Sequence, residues 1–322
     1  RSGRSGASRS DPAQRRAALL IGPRQVGKSV LLRQVAVELL RAGWPAANLT
    51  YFDFEDHRLG RAAGELDPAL VEQHLPEGHR EELPRVLLLD EVHRANGWDL
   101  WLKKLVDRER GPGRPGVRVL ATDSAASMLR HGTRESGQGR WDEIRILGLT
   151  FGEYLMLLSR GPETPEQTLQ RNPQELERYL AKGGFPEHVH VEPSSELWWK
   201  IREDVASRTV SQDLFVSASR GADERLDVER LRRLFVMLVQ DSGAIFGATE
   251  RATDLGAHRT TVSSWLALLE DACLVHRIEP YQPTSRAGLP SAKSRLARKP
   301  KIHAAEHGLV PAFVLSAYPM KE

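Results

Sequence analysis

Two clusters in the sequence combine residue types and spacings that could do chemistry. The first is Gly22-Pro-Arg-Gln-Val-Gly27-Lys28-Ser29: a glycine, four residues, then Gly-Lys-Ser. Glycines let successive backbone N–H groups turn toward one point and close on phosphate oxygens. A helix starting just after the loop aims its partly positive N-terminus at the same point. The Lys28 ammonium can reach the β- and γ-phosphates of a nucleotide, and the Ser29 hydroxyl can ligate Mg²⁺. The phosphate-binding set is therefore Gly22, Pro23, Arg24, Gln25, Val26, Gly27, Lys28, Ser29 and Val30. The second cluster is Asp90-Glu91, which ends the apolar run Val86 to Leu89 and lies 61 positions after Ser29. Asp90 is placed to hold Mg²⁺ through water, and Glu91 to polarise an attacking water. Adjacent side chains on a strand point to opposite faces. These two converge only if the chain leaves strand geometry at the tip.

The elements that must position these residues are legible as apolar runs. Ala18 to Ile21 reads as a short buried strand, and Val30, Leu31, Leu32, Val35, Leu39 and Leu40 recur at helical spacing. Leu49 to Glu55, Val86 to Leu89, Val117 to Thr122 and Ile144 to Leu147 read as further strands, and Trp98 to Asp107 as an amphipathic helix. Strands alternating with helices predict an α/β fold with a parallel sheet covered on both faces and right-handed crossovers. An extra strand is expected between the strand before the glycine loop and the Asp-Glu strand. Ligands of such sheets bind at the C-terminal ends of the strands. There Ser124, at the tip of the fourth strand, is a candidate sensor of the γ-phosphate.

From Phe151 the periodicity is helical. Phe151, Tyr154, Leu155 and Leu158 share a face, and Gly183-Gly-Phe-Pro186 makes a turn. Leu197 to about Val216 reads as a long helix whose Trp198 and Trp199 serve as packing aromatics. Leu226 to Val239 is a second amphipathic helix. Ala252 to Ala257 and His258 to Glu270 then read as a helix–turn–helix, with Val262, Trp265, Leu266 and Leu269 inward and Arg259, Thr260, Ser263 and Ser264 outward. Leu274 to Tyr281 is expected to form a two-stranded wing. The segment from Arg286 to Lys301 holds six basic residues and no acid. Arg259, Thr260, Ser263, Arg295, Arg298 and Lys299 are thus the candidate contacts to double-stranded DNA, with a protein-packing module as the other use of this architecture. His303-Ala-Ala-Glu-His307 matches a zinc-protease pattern. The segment is too short for a metal-site helix and lacks a third ligand, so no such site is expected.

Composition sets outer bounds. The 322 residues carry 46 Lys and Arg against 43 Asp and Glu, a net charge of +3. Any basic surface must therefore be local. Cys273 is the one cysteine, so no intrachain disulfide forms, and a reducing, cytoplasmic setting is expected. No apolar run approaches the roughly 18 residues of a membrane span. The domain plan read from these features is a disordered segment over 1–14, an ATPase-type core over 15–150, a helical lid over 151–192 and an α-rich winged-helix domain over 193–285. A basic linker and truncated C-terminal segment complete it over 286–322.

Taken in order, Gly-Pro-Arg-Gln-Val-Gly-Lys-Ser, Leu-Leu-Leu-Asp-Glu-Val-His, Gly139-Arg140, Leu149-Thr-Phe-Gly-Glu-Tyr154, Gly183-Gly-Phe-Pro186 and the Arg-Thr-Thr-Val-Ser-Ser helix form a set. This set resembles the prokaryotic AAA+ P-loop ATPases that carry a winged helix behind the core and often end in a restriction-endonuclease-like domain. The resemblance implies ATP and Mg²⁺ as ligands and ATP hydrolysis as the activity. It gives Lys28 and Glu91 catalytic roles and makes Ser29 and Asp90 the metal ligands. It puts Arg140 at the arginine-finger position, reaching the ATP of a neighbouring subunit in a homo-oligomer. The partner it implies is DNA or a protein; the alternatives are a nucleotide-gated DNA-binding regulator and a module of a defence or toxin-type complex. Two departures stand out. Thr122-Asp-Ser124 replaces the usual Thr-Gly-Ser, and Glu306 stands where the segment opening the nuclease-like domain usually has Asp. That domain's acidic residues do not appear before Glu322, so no nuclease activity is expected.

Overall fold

The structure is a computed structural model that describes residues 17–59, 66–108, 116–124, 141–158, 164–210, 227–281 and 299–314. The chain forms two compact units. Residues 17–21, 28–124 and 141–146 fall in the first, and residues 22–27 and those from Leu147 onward in the second.

The first unit is built on strands β1 (Ala17–Gly22), β2 (Leu49–Asp53), β3 (Arg85–Asp90), β4 (Val117–Ser124) and β5 (Trp141–Arg145), in the order β2-β3-β4-β1-β5. β4 lies between β3 and β1, which is the extra strand the sequence predicts. The pairings of β2 with β3, β3 with β4 and β1 with β5 are parallel, with Asp53 opposite Asp90 and Leu88 opposite Leu120. Leu87, Leu88 and Leu89 are all buried. An unbroken apolar run of this kind marks a strand covered on both faces.

Helix α1 (Lys28–Arg41) lays Leu32 against Leu20, Val86 and Leu88, with Val30 and Leu40 left exposed on its other side. α2 (Leu70–Gln73) is a single turn, and α3 (Trp98–Arg108) buries Trp98, Leu102, Leu105 and Val106. The loop into β3 is tied down by Asn48. Its buried amide donates to the carbonyls of Arg80, Leu83 and Pro84 and accepts the Arg80 N–H. β5 begins at Trp141, earlier than the apolar stretch Ile144 to Leu147 suggests. It is an edge strand, and Glu143, Ile144 and Arg145 face solvent.

The second unit is helical. α4 (Phe151–Leu157) and α5 (Pro165–Arg171) each start with a capping box, Thr150 with Glu153 and Thr164 with Gln167. α6 (Gln174–Lys182) and α7 (Ser195–Ile201) follow, and α7 runs into a π-helical turn, Arg202–Ser207. Trp198 is buried and donates its indole N–H to the Ala181 carbonyl, whereas Trp199 is 56% exposed. The pair is therefore not two packing aromatics. α8 (Val228–Gln240), α9 (Ala248–Leu255) and α10 (Arg259–Asp271) close around Leu234, Phe235, Trp265 and Leu269. Gly256 ends α9 in the left-handed conformation.

Two expectations about the C-terminal part are corrected. β6 (Val275–Ile278) has no partner within 274–281 and pairs antiparallel with β7 (Lys301–Ala304). α11 (Leu309–Val314) packs Phe313 edge-on against Phe235. Residues 301–314, expected in a separate C-terminal segment, therefore belong to the helical domain's core. The basic run before them masked a four-residue strand with only Ile302 facing inward.

Three sequence motifs of this unit meet at Glu306, which is buried. Its Oε1 accepts the Gly184 N–H at 2.9 Å, and the Leu149 N–H donates to the Gly184 carbonyl at 2.6 Å. The backbones here are nearly in contact. A Cβ on Gly184 would sit 2.4 Å from the Leu149 carbonyl oxygen, and one on Gly308 would sit 2.8 Å from Gly183 Cα. The H-x-x-E-H pattern is thus a packing clasp. His307 Nε2 lies 3.1 Å from the Tyr179 carbonyl, and His303 stacks beside Gly243. No metal-binding group of three or more His, Cys, Asp or Glu occurs among the described residues.

Candidate functional site

The glycine loop has the backbone its sequence requires. Gln25 (φ 64°) and Gly27 (φ 91°) both lie in the left-handed region, so the chain reverses twice before the helix. α1 then begins directly at Lys28, and its first turn contains no acidic side chain to neutralise the N-terminal dipole. Val26 and Lys28 are buried, while Val30 points to solvent. Gln25 Nε2 donates to Asp204 Oδ2 at 3.4 Å within the second unit.

Asp90 ends β3 at 2% exposure, and three hydroxyl groups satisfy its carboxylate. Ser29 Oγ at 3.0 Å and Thr122 Oγ1 at 2.5 Å donate to Oδ1. The Tyr51 hydroxyl donates to Oδ2 at 2.8 Å. Burial, with the hydrogen bond to Asp90 next, pushes the Tyr51 phenol up to about 12. Arg33 leans over the Tyr51 ring from α1, and its Nε lies 3.4 Å from the hydroxyl. These are hard oxygen donors. A cation beside Ser29 and Asp90 would find one hydroxyl, one carboxylate and otherwise water or substrate oxygens. Mg²⁺ prefers such a set to an all-protein cage, so the residues present fit it.

Glu91 leaves the strand at once, with φ 53° and ψ 48°. Its N–H donates to Thr122 Oγ1 at 2.9 Å, so one threonine hydroxyl serves both acidic positions. Its carboxylate turns to His93: Glu91 Oε2 lies 3.1 Å from His93 Nδ1. Asp123 Oδ1 lies 3.1 Å from the same nitrogen, and the Asp123 side chain is wholly buried. Asp123 thus meets an internal imidazole. Burial alone would lower the His93 pKa; the carboxylates of Asp123 and Glu91 outweigh it and raise it to about 9.

Of the residues singled out in the sequence, the structure brings Ser29, Asp90 and Glu91 together at the start of α1 and the tip of β3. Arg259, Thr260 and Ser263 lie on the exposed side of α10 in the second unit. The Ser263 hydroxyl bonds back to the Arg259 carbonyl, and Lys299 pairs with Glu250. Arg140, Arg295, Arg298 and the side chain of Ser124 lie outside the described residues. Sequence reasoning missed Tyr51, Thr122, His93 and Asp123 as site residues. Asp123 carried a signal, an acid in place of the usual glycine. His93 carried a weaker one, a histidine directly behind an acidic pair.

A parallel sheet in this order, with a glycine loop feeding α1 and an aspartate beside the Gly-Lys-Ser serine, defines a P-loop ATPase fold. Residues 14–155 match the AAA domain family, and this part of the chain has the AAA-type P-loop ATPase fold. Residues 173–317 match a domain of unknown function (DUF8612). Among curated proteins, the chain is 24% identical to an uncharacterized protein of Haemophilus influenzae, over 82% of this chain and 62% of that one. It is 26% identical to an uncharacterized protein of Mycobacterium tuberculosis, over 91% of this chain and 54% of that one. The chain thus spans between half and two thirds of the length of these relatives. Among solved structures, the Walker-type ATPase of Pyrococcus abyssi superposes with a TM-score of 0.48 at 15% identity, covering 93% of this chain and 91% of that one. The ORC2 protein of Aeropyrum pernix gives 0.43 at 13% identity, covering 94% and 86%. No helix among the described residues is long and apolar enough to cross a membrane.

Proposed function

We propose that the protein binds ATP with Mg²⁺ and hydrolyses it, coupling the nucleotide state to a DNA or protein partner through its second unit. One observation carries this reading: Ser29 and Asp90 are in contact, and the chain turns at Glu91, which follows Asp90 directly with a second carboxylate. The loop amides Gly22 to Gly27 would cradle the phosphates, and Lys28 would neutralise the β- and γ-phosphates. Ser29 and Asp90 would hold Mg²⁺, which supplies charge neutralisation on phosphate oxygens when bound. Glu91 orients the attacking water and accepts its proton as the water oxygen bonds to the γ-phosphorus and the bond to the β-phosphate oxygen breaks. Arg140 completes the reading as the group that reaches the ATP of a neighbouring subunit. The test is ATP turnover by wild type, Lys28→Ala and Glu91→Gln. Loss of at least about 100-fold in both variants is the expected result. Equal rates in all three would end the enzyme reading.

A second reading is a DNA-binding regulator in which ATP acts as a switch. The exposed run Arg259, Thr260 and Ser263 on the second helix of a helix–turn–helix favours it. Salt-dependent binding to duplex DNA that weakens on Arg259→Glu supports this reading; no binding at low salt removes it.

A further inference from the structure

Two carboxylates at the tips of β3 and β4 share one imidazole nitrogen, and they are not equivalent. Asp123 has a side-chain exposure of 0% and Glu91 of 23%, and His93 sits between them at 6%. A buried carboxylate needs a partner, and His93 supplies one for Asp123. The single N–H on Nδ1 cannot align with both oxygens at once, so its hold on each is charge attraction rather than one fixed hydrogen bond. Asp123 is the permanent partner because its side chain is wholly buried beside the imidazole. Glu91 is the exchangeable one because it borders solvent.

The backbone of the site is fixed independently. Thr122 Oγ1 accepts the Glu91 N–H, and the Glu91 carbonyl accepts the Arg94 N–H at 3.0 Å. The Glu91 carboxylate is directed separately from this backbone, toward His93 Nδ1 at 3.1 Å. Thr122 and Asp123, adjacent on β4, divide the work by strand alternation: Thr122 serves Asp90 and the Glu91 backbone, and Asp123 serves His93.

We propose that the Asp123–His93 pair is a positioning device for Glu91, holding its carboxylate at the strand tip and releasing it to the attacking water. Asp123 is what makes release workable. When Glu91 turns from His93 to water, the imidazole keeps a carboxylate beside it and no buried charge is stranded. His93 is a positioning residue, acting on the reaction only through Glu91. The inference rests on the proposed role of Glu91 in hydrolysis.

The test is a double-mutant cycle on the full chain. The variants are His93→Ala, His93→Gln, Asp123→Asn, Glu91→Gln and the His93→Ala/Glu91→Gln double. The readouts are affinity for a fluorescent ATP analogue with Mg²⁺ and the single-turnover hydrolysis rate. Affinity should stay within about twofold throughout, as expected for groups that touch no phosphate. The rate should fall about 10- to 100-fold for His93→Ala and Asp123→Asn, in the range of groups that orient a reacting side chain. The double variant should be no slower than Glu91→Gln alone. A wild-type rate in His93→Ala, His93→Gln and Asp123→Asn while Glu91→Gln is slow would overturn the positioning role and leave the hydrolysis reading intact. Losses that multiply in the double variant would likewise overturn it. A wild-type rate in Glu91→Gln would instead remove the role of Glu91, and this inference with it. His93→Gln and Asp123→Asn preserve volume and keep the test open should His93→Ala fail to fold.

Discussion

Ser29 Oγ and Asp90 Oδ1 lie 3.0 Å apart although 61 positions separate them in the chain. The contact closes the space between the first turn of α1 and the tip of β3, where a hydroxyl and a carboxylate can share one cation. Asp90 is held for this by Thr122 and Tyr51 on the neighbouring strands, so its two oxygens have fixed directions.

Thr122→Val should therefore be costly despite its near-identical shape. It removes the acceptor of the Glu91 N–H and one of the two hydroxyl donors to Asp90 Oδ1, leaving Ser29. We expect a loss of about 2–3 kcal/mol in urea denaturation and a lower Mg²⁺-dependent turnover. Thr122→Ser should recover most of both. If valine and serine behave alike, the hydroxyl is not what holds the acidic pair.

Tyr51→Phe removes one of the three donors to Asp90 and keeps the ring under Arg33. The expected cost is about 1 kcal/mol of stability, with a weaker apparent affinity for Mg²⁺. Tyr51 and Tyr179 are both pushed up to about 12, so by ultraviolet absorbance the variant should lose one of the two tyrosines that titrate near 12 and keep the other. An unchanged titration curve would count against the Tyr51–Asp90 hydrogen bond.

How much of this was legible in the sequence depended on whether a residue's role is local. The glycine loop, β3 and α10 were readable because periodicity and spacing lie within a few residues of one another. β5 began outside its apolar run because it lies at the sheet edge, where Trp141 is buried and Glu143, Ile144 and Arg145 are exposed. β7 was hidden because its partner strand ends at Ile278, across the basic segment, and pairing over such a distance leaves no local pattern. Thr122, Asp123 and His93 gained their roles from strand order. Only the placement of β4 beside β3 sets Asp123 against His93.

The clasp at Glu306 gives a prediction about folding rather than chemistry. Gly184→Ala forces a Cβ to within 2.4 Å of the Leu149 carbonyl oxygen, a backbone atom that cannot swing away. We expect a loss of about 2–4 kcal/mol. Glu306→Gln keeps an acceptor for the Gly184 N–H and should cost about 1 kcal/mol, whereas Glu306→Ala leaves that N–H unsatisfied and should cost about 1–3 kcal/mol. Thermal melting should show the largest loss for Gly184→Ala, an intermediate one for Glu306→Ala and the smallest for Glu306→Gln. A neutral Gly184→Ala would mean that the two turns do not approach as closely as described.

The raised pKa of His93 makes stability depend on pH in a definite direction. The imidazole, ordinarily near 6.5, is held at about 9 in the folded protein because Asp123 and Glu91 outweigh the effect of burial. The native state therefore binds the proton more tightly than the unfolded chain does. The resulting stabilisation is fully present below pH 6.5 and is lost as the pH rises through about 9. Its size is about 3 kcal/mol at most, since each pKa unit corresponds to about 1.4 kcal/mol. Asp123→Asn removes the larger of the two attractions and should flatten this part of the profile. Urea midpoints measured every half unit from pH 6 to about 10 for wild type and Asp123→Asn isolate the effect, because other titrating groups cancel in the difference. The two curves should converge as the pH rises. Curves that stay parallel would mean that His93 does not carry the charge binding these two carboxylates.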